Sequence, residues 1–255
     1  MKHHPRLVAF DLDGTLAESK QRVSYDMGES LAQLLKKMPI AIMSGAGFPQ
    51  FEKQFFPAIP MEANLNNLYI FPTNAAQCFV YRTEAWKPQY DHAFSATDRD
   101  EIHRAITDAS AELSMPEPKQ VWGDIVQDRG AQITFSAVGQ EAPVAAKQEW
   151  AAAYNDKRKE LRNLLAKKLP NYSVSTGGIT SIDITPKGIT KAYGIKRLAE
   201  LTGVPVEDML YVGDALEEGG NDAVVKETGV PTHQVFGPKE TEGLINSLLE
   251  QQLTK

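Results

Sequence analysis

Hydrophobic residues run through the first and last thirds of the chain in two alternating rhythms. Arg6-Leu7-Val8-Ala9-Phe10 is a short apolar strand that runs into Asp11-Leu12-Asp13-Gly14-Thr15-Leu16. Leu31, Leu34, Leu35 and Met38 then recur at helical spacing. Pro39-Ile40-Ala41-Ile42-Met43 is continuously apolar and ends in Ser44-Gly45, which predicts a parallel strand buried on both faces. A shorter strand is predicted over 68–71, a helix over 191–201, and a strand over 209–212 with Gly213-Asp214 as its polar tip. β and α units alternating in this way, joined by right-handed crossovers, make an α/β protein with a doubly wound parallel sheet.

The middle of the chain follows another rule. Ala131, Ile133, Phe135 and Ala137 alternate with Gln132, Thr134 and Ser136, the pattern of a half-exposed antiparallel strand. Ser181, Asp183 and Thr185 alternate in the same way with Ile182 and Ile184. Helices over 97–113 and 144–169 would cover one face of such a sheet. Thr97, with Asp100 three residues on, is the expected start of the first. The second carries Lys157-Arg158-Lys159 and Lys167-Lys168, read as a solvated face. An α+β domain at 83–185 is therefore expected, inserted into a core made of 1–82 and 186–255.

Composition narrows the function classes. With 42% hydrophobic and 24% charged residues in 255, the chain can bury a substantial core. A net charge of −6 supplies no field for nucleic acid or an anionic membrane surface. The single cysteine, Cys78, excludes an internal disulfide framework and a cysteine-rich zinc site. Met1-Lys2-His3-His4-Pro5 lacks the apolar stretch of a signal peptide, and no run is long enough to span a membrane. The expectation is a cytoplasmic protein, with His3 and His4 on a terminus that carries no chemistry.

Against that background four segments stand out. Asp11 and Asp13, two residues apart at the carboxyl end of a buried strand, are costly unless a cation neutralises them, although Asp and Gly also make ordinary turns. The pair suits a divalent ion, with Asp11 as nucleophile and Asp13 as proton carrier. Ser44 and Gly45 offer a hydroxyl and an open backbone N–H at a strand tip, ahead of a helix near Phe48. That is either a phosphate cradle or simply a turn. Lys191 opens a helix, where the positive dipole end disfavours it unless an anion lies nearby; Lys187 is the competing candidate. Finally, Tyr211-Val212-Gly213-Asp214 is followed by a glycine-paired loop that brings back Asn221 and Asp222. Oxygen ligands with few nitrogens indicate magnesium, with Glu217 and Glu218 left to solvent.

These motifs, in this order, resemble the haloacid dehalogenase superfamily of phosphotransferases, in its subgroup with an α/β cap after the third strand. Over nearly the whole chain the likeness extends to the eukaryotic-type phosphomannomutases. Phe71-Pro72-Thr73-Asn74 resembles the segment leading into that family's cap, and Asp128-Arg129-Gly130 through Gly139 its sugar-phosphate strand. Gly177 through Lys191 resembles its cap exit and lysine motif. The resemblance implies a Rossmann-like core with an inserted α+β cap, and Mg2+ held by Asp11, Asp13, Asp214 and Asp222. It further implies Asp11 as nucleophile, Asp13 as general acid/base, and Ser44 and Lys191 on the phosphoryl group with Gly45 beside them. Asn221 would orient the site, Arg129 would bind a distal phosphate, and Ser181 and Asp183 would contact sugar hydroxyls.

Departures from that pattern shape the expected activity. Gln140 and Lys147 stand where the mutases place two further cap arginines, and Lys20 where the core has one. Arginine grips phosphate bidentately, lysine is a point charge, and glutamine carries none. A mutase must hold a bisphosphate in both orientations, whereas a hydrolase needs to grip one phosphate. The expectation is a Mg2+-dependent phosphatase of small phosphorylated sugars, with phosphomannomutase as the alternative and a non-catalytic sugar-phosphate binding module as the third reading. The cap could also serve as a homodimer interface.

Overall fold

The computed structural model describes residues 4–253; His3 lies outside them, and His4 is exposed. The chain begins with β1 (Leu7–Asp11), buried at every position. Helix α1 (Tyr25–Leu35) starts where the Ser24 hydroxyl accepts the Met27 N–H, and it buries Met27, Leu31, Leu34 and Leu35 along one face. Gly28 sits on that face because a Cβ there would lie 1.9 Å from the Ala58 carbonyl oxygen. The helix stops short of Met38, which is nonetheless buried just past its end. Next come β2 (Ile40–Met43), the short helix α2 (Phe48–Gln54) and β3 (Leu68–Phe71). A hairpin follows, β4 (Gln77–Arg82) and β5 (Ala85–Asp91), turning through Thr83 and Glu84.

The middle of the chain forms its own compact unit, residues 91–190. It contains α3 (Ala96–Glu112), β6 (Val126–Asp128), β7 (Ile133–Ser136), α4 (Val144–Lys168), β8 (Tyr172–Thr176) and β9 (Ser181–Pro186). The strands make an antiparallel sheet in the order β6-β7-β9-β8. Ile102, Ile106 and Ala109 of α3 and Trp150, Leu161 and Leu165 of α4 join Ile133, Phe135, Ile182 and Ile184 in one apolar cluster. The unit starts at Asp91 rather than residue 83 because the β4–β5 hairpin extends the larger unit's sheet. For the same reason Phe71–Asn74 does not lead out of the larger unit: the hairpin intervenes before the boundary.

Three expectations for this unit change. Its first helix is capped by Ser95 and Asp98 in a reciprocal capping box, not by Thr97 and Asp100, because Ser95 is the last extended residue before the helix. β7 is not half-exposed: Gln132, Thr134 and Ser136 are buried. Their polar groups are satisfied instead by Gln132 donating to Thr134, Thr134 donating to Asp183, and Ser136 donating to the Gly139 carbonyl. Arg158 does not belong to a fully solvated face. Half-buried, it donates to the Gly178 carbonyl and to Asn155, whereas Lys159, Lys167 and Lys168 are exposed.

The chain returns to the larger unit through α5 (Lys191–Thr202), β10 (Met209–Gly213), β11 (Thr232–Gln234) and α6 (Pro238–Leu253). Its seven-stranded sheet runs β11-β10-β1-β2-β3-β4-β5, parallel from β11 to β3 and antiparallel from β3 to β4. The order reverses at β1, between β10 and β2. The carboxyl ends of adjacent parallel strands there form the crevice in which α/β proteins bind ligands. The doubly wound reading of the sequence holds.

Candidate active site

β1 and β10 pair in parallel, with Phe10 opposite Val212, so Asp11 and Asp214 leave the sheet side by side. The chain then passes Asp214 closely, and Gly14 is what permits it. Its φ is +90°, and a Cβ would lie 2.2 Å from Asp214 Oδ2. Beyond Asp214 the loop folds back, with the Asp222 N–H donating to the Ala215 carbonyl at 3.1 Å. One carboxylate oxygen from each of Asp11, Asp214 and Asp222 then lies within 4.8 Å of the others.

Lys191, in the first turn of α5, is buried among these acids. Its Nζ lies 2.5 Å from Asp11 Oδ1 and 2.6 Å from Asp222 Oδ1. The acids remove the objection to a lysine at a helix start. Lys187, the competing candidate, is exposed in the other unit. Asp222 is held from three sides: the Tyr211 hydroxyl also donates to Oδ1 at 2.5 Å, and the Ala215 N–H to Oδ2 at 3.3 Å.

Burial raises the Asp11 carboxyl well above its usual range, and the Asp222 charge adds to this while Lys191 opposes it. For Lys191 burial pulls the other way, but Asp11 and Asp222 outweigh it and hold the ammonium well above its ordinary value. Burial and the Asp222 charge push Asp214 up to about 6. Three carboxylates around one ammonium leave a cluster whose charge a hard divalent cation would balance, and its all-oxygen donors suit magnesium.

Asp13 is not in this carboxylate group. Its Oδ1 instead accepts two hydrogen bonds, from the Lys20 backbone N–H at 2.6 Å and from Gln54 Nε2 at 2.9 Å. Asp13 therefore lies outside the three carboxylates that come together here. Gln54 is the residue that sequence reasoning missed. A lone glutamine in the short helix α2 breaks no pattern, yet it is buried, and Gln50 donates to its Oε1. Lys20, considered above for its side chain, serves Asp13 through its backbone at a φ of 58°.

Ser44 continues the line of β2 beyond Met43. Its N–H donates to the Phe71 carbonyl, its carbonyl accepts from the Asn74 N–H, and its hydroxyl accepts from the Ala46 N–H. Thr73 donates its N–H to the Ala46 carbonyl, so segments 44–46 and 71–74 are stitched together. Thr73, Asn74 and Ala75 all have positive φ, a conformation that residues other than glycine adopt only where surroundings hold them. Ser44 is buried, while Gly45 and Asn221 are partly exposed, the latter immediately before Asp222.

The remaining candidates lie in the smaller unit. The Asp183 carboxylate is buried and accepts from the Thr134 hydroxyl at 2.9 Å; Ser181 closes a tight turn by donating its N–H to the Gly178 carbonyl. Lys147 is partly exposed in α4. Arg129 donates from Nε to Gln127 and from Nη2 to Gln140, whose own amide donates to the Thr134 carbonyl. Gln140 thus has both ends of its side-chain amide engaged within the protein.

The sequence profile of the haloacid dehalogenase-like hydrolases matches residues 8–222. Phosphomannomutase of Saccharomyces cerevisiae is 25% identical over 249 residues, covering 95% of this chain and 93% of the yeast protein. A probable phosphomannomutase of Caenorhabditis elegans is 24% identical over 254 residues, 96% of each chain. Among solved structures, the IMP-bound, N-terminally truncated IMP-nucleotidase of Plasmodium falciparum superposes with a TM-score of 0.67 at 17% identity, covering 96% of this chain and 68% of that one. A structure described as showing a trigonal-bipyramidal intermediate in a phosphoryl-transfer superfamily superposes with a TM-score of 0.60 at 16% identity, over 97% of this chain and 99% of the other.

Proposed function

The chain belongs to the haloacid dehalogenase-like hydrolase family, and from that premise we propose that it is a magnesium-dependent phosphatase of small phosphorylated sugars. The observation that carries this reading is the cluster of Asp11, Asp214 and Asp222 around the buried Lys191 ammonium, at the carboxyl ends of β1 and β10. Asp11, Asp214 and Asp222 would hold the ion, which when bound neutralises phosphate charge so that an anionic nucleophile can approach.

Asp11 attacks phosphorus in line through a carboxylate oxygen, and the bond from phosphorus to the sugar oxygen breaks. Asp13 gives its proton to that leaving oxygen, and an aspartyl-phosphate remains. Asp13, now a carboxylate, takes a proton from water; the water oxygen attacks phosphorus, the Asp11–phosphorus ester breaks, and inorganic phosphate leaves. Lys191 and the Ser44 hydroxyl stabilise the charge on the equatorial oxygens. Arg129, Ser181 and Asp183 of the smaller unit are the residues proposed to recognise a sugar.

Phosphomannomutase is the second reading, favoured by the likeness to the yeast and nematode proteins along nearly the whole chain. In it, Asp13 would deprotonate a sugar hydroxyl in place of water. Incubating the protein with Mg2+, mannose 1-phosphate and a hexose bisphosphate primer separates the two. Free phosphate supports the hydrolase, isomerised hexose phosphate supports the mutase, and neither product from a broad panel of phosphorylated sugars would overturn both.

A further inference from the structure

The turn that follows β3 is strained and is held from outside itself. Thr73, Asn74 and Ala75 have φ values of 52°, 53° and 69°, three successive left-handed residues with no glycine among them. Such a run is costly and persists only where its surroundings fix it. Part of the hold comes from the segment after β2. The Ser44 carbonyl accepts the Asn74 N–H and the Ala46 carbonyl the Thr73 N–H, both at 2.9 Å. A turn that relaxed would therefore release the Ser44 backbone.

Two further elements grip Ala75. The Tyr90 hydroxyl, from β5, donates to its carbonyl at 3.0 Å. Helix α5 closes on its side chain: a Cβ on Gly194 would lie 2.7 Å from the Ala75 Cβ and 3.1 Å from Sδ of Met43, the residue before Ser44. Gly194 stands three residues beyond Lys191, so the helix that carries the ammonium also packs against the turn that holds Ser44.

Tyr90 is tied to the same helix. Its ring meets that of Tyr193 edge-on at 6.0 Å between centroids, and the Arg197 guanidinium lies over it at 5.4 Å. Burial holds the Tyr90 hydroxyl well above its usual range, with Cys78 and Tyr193 adding to this, so it remains a donor around neutral pH. All of these groups lie in the larger unit.

We propose that Tyr90 is a positioning residue for phosphoryl transfer: by holding the Ala75 carbonyl beside α5 it keeps the left-handed turn formed, and the turn keeps Ser44 at a fixed place relative to Lys191. Its effect on the reaction runs through Ser44. The proposal rests on the reading of the Ser44 hydroxyl as a group that stabilises the phosphoryl oxygens.

Tyr90→Phe tests it, because the ring stays and only the hydroxyl goes. With p-nitrophenyl phosphate and Mg2+, kcat falls about fivefold, the size of one neutral hydrogen bond, and KM barely moves. The inhibition constant of orthovanadate, which mimics five-coordinate phosphorus, rises by a similar factor. Adding Tyr90→Phe to Ser44→Ala lowers kcat no further than Ser44→Ala alone. Losses that multiply in the double variant, or full activity in Tyr90→Phe, overturn the proposal.

A second measurement needs no turnover. In hydrogen exchange the Thr73 and Asn74 amides open faster in Tyr90→Phe, whereas the amides of β1 keep their protection. Unchanged exchange at the turn, or equal acceleration throughout the sheet, overturns the positioning role. Failure of the phosphatase reading shows separately, as no phosphate release from the unaltered protein, and the exchange measurement still decides whether Tyr90 holds the turn.

Discussion

Gln54 donates its side-chain amide to Asp13 Oδ1 over 2.9 Å, on the same oxygen that accepts the Lys20 N–H. With both donors on Oδ1, the other carboxylate oxygen is the one left for the proton transfer proposed above. Gln54→Leu removes the side-chain half of that restraint without touching Asp11. Hydrolysis of alkyl phosphates, whose leaving oxygen needs protonation, is expected to slow about tenfold. p-Nitrophenyl phosphate, with its good leaving group, is expected to slow much less. Equal losses on the two substrates would reduce Gln54 to a packing role.

Lys191 carries structure as well as chemistry. Its ammonium separates two buried carboxylates, Asp11 and Asp222, and its side chain is 1% exposed. Lys191→Met therefore leaves like charges facing each other in a desolvated site, a change that typically costs about 3–5 kcal/mol. Urea unfolding should show that loss together with the loss of turnover. Adding Asp11→Asn to Lys191→Met should recover part of the stability and none of the activity, whereas a full-strength Lys191→Met protein would contradict the ion-pair geometry.

The parts of this site that were legible in the sequence are those placed by regular elements. Asp11, Ser44 and Asp214 each stand at or just beyond the tip of an apolar run, and Lys191 stands at a helix start where the dipole makes it anomalous. Asp222 was legible through the loop that returns to the same strand end. Residues whose roles depend on tertiary neighbours were not. Thr134 and Gln132 read as solvent-facing because alternation reports polarity and not exposure; only the cross-strand pairing of Thr134 with Asp183 shows that the polar face is buried. Gln54 and Tyr211 act through single hydrogen bonds to Asp13 and Asp222, and a single bond leaves no periodic trace. The smaller unit's start was displaced because Thr83-Glu84 lacks the glycine and asparagine that usually announce a tight hairpin.

That turn makes a separate prediction. Thr83 and Glu84 sit at φ values of 49° and 60°, both left-handed, and both are exposed. A two-residue hairpin turn with positive φ at both positions favours Asn-Gly. Thr83→Asn with Glu84→Gly relieves the strain without removing buried contacts. The variant should gain about 1 kcal/mol in unfolding free energy. Thermal denaturation reads this directly, and a lower melting temperature would contradict the turn geometry.

Cys78 is buried in β4, and burial pushes its thiol up to about 12, with Arg197 opposing weakly. A raised thiol value means that the reactive thiolate is scarce at every pH below that range. The folded protein should react slowly with a disulfide reagent at pH 8, and at the rate of a free thiol once unfolded in urea. Rapid reaction of the native protein would mean that β4 opens readily from the sheet.

The last prediction concerns the ion. With its three carboxylates ionised the site sets three negative charges against the one positive charge of Lys191, an excess that destabilises the fold whenever nothing balances it. A ligand that binds the folded chain and not the unfolded one adds RT ln(1 + [L]/Kd), about 2.7 kcal/mol at a hundredfold excess over Kd. Protein stripped with EDTA should therefore melt lower than the same protein with Mg2+, and turnover should vanish and return with the ion. Asp214→Asn separates this from a general salt effect. Asp214 lies beside Asp222 without touching Lys191, so its neutralisation should raise the melting temperature of the stripped protein while abolishing most of the Mg2+-dependent increment. An increment of equal size in Asp214→Asn would place the ion elsewhere and remove the basis for the proposed phosphoryl transfer.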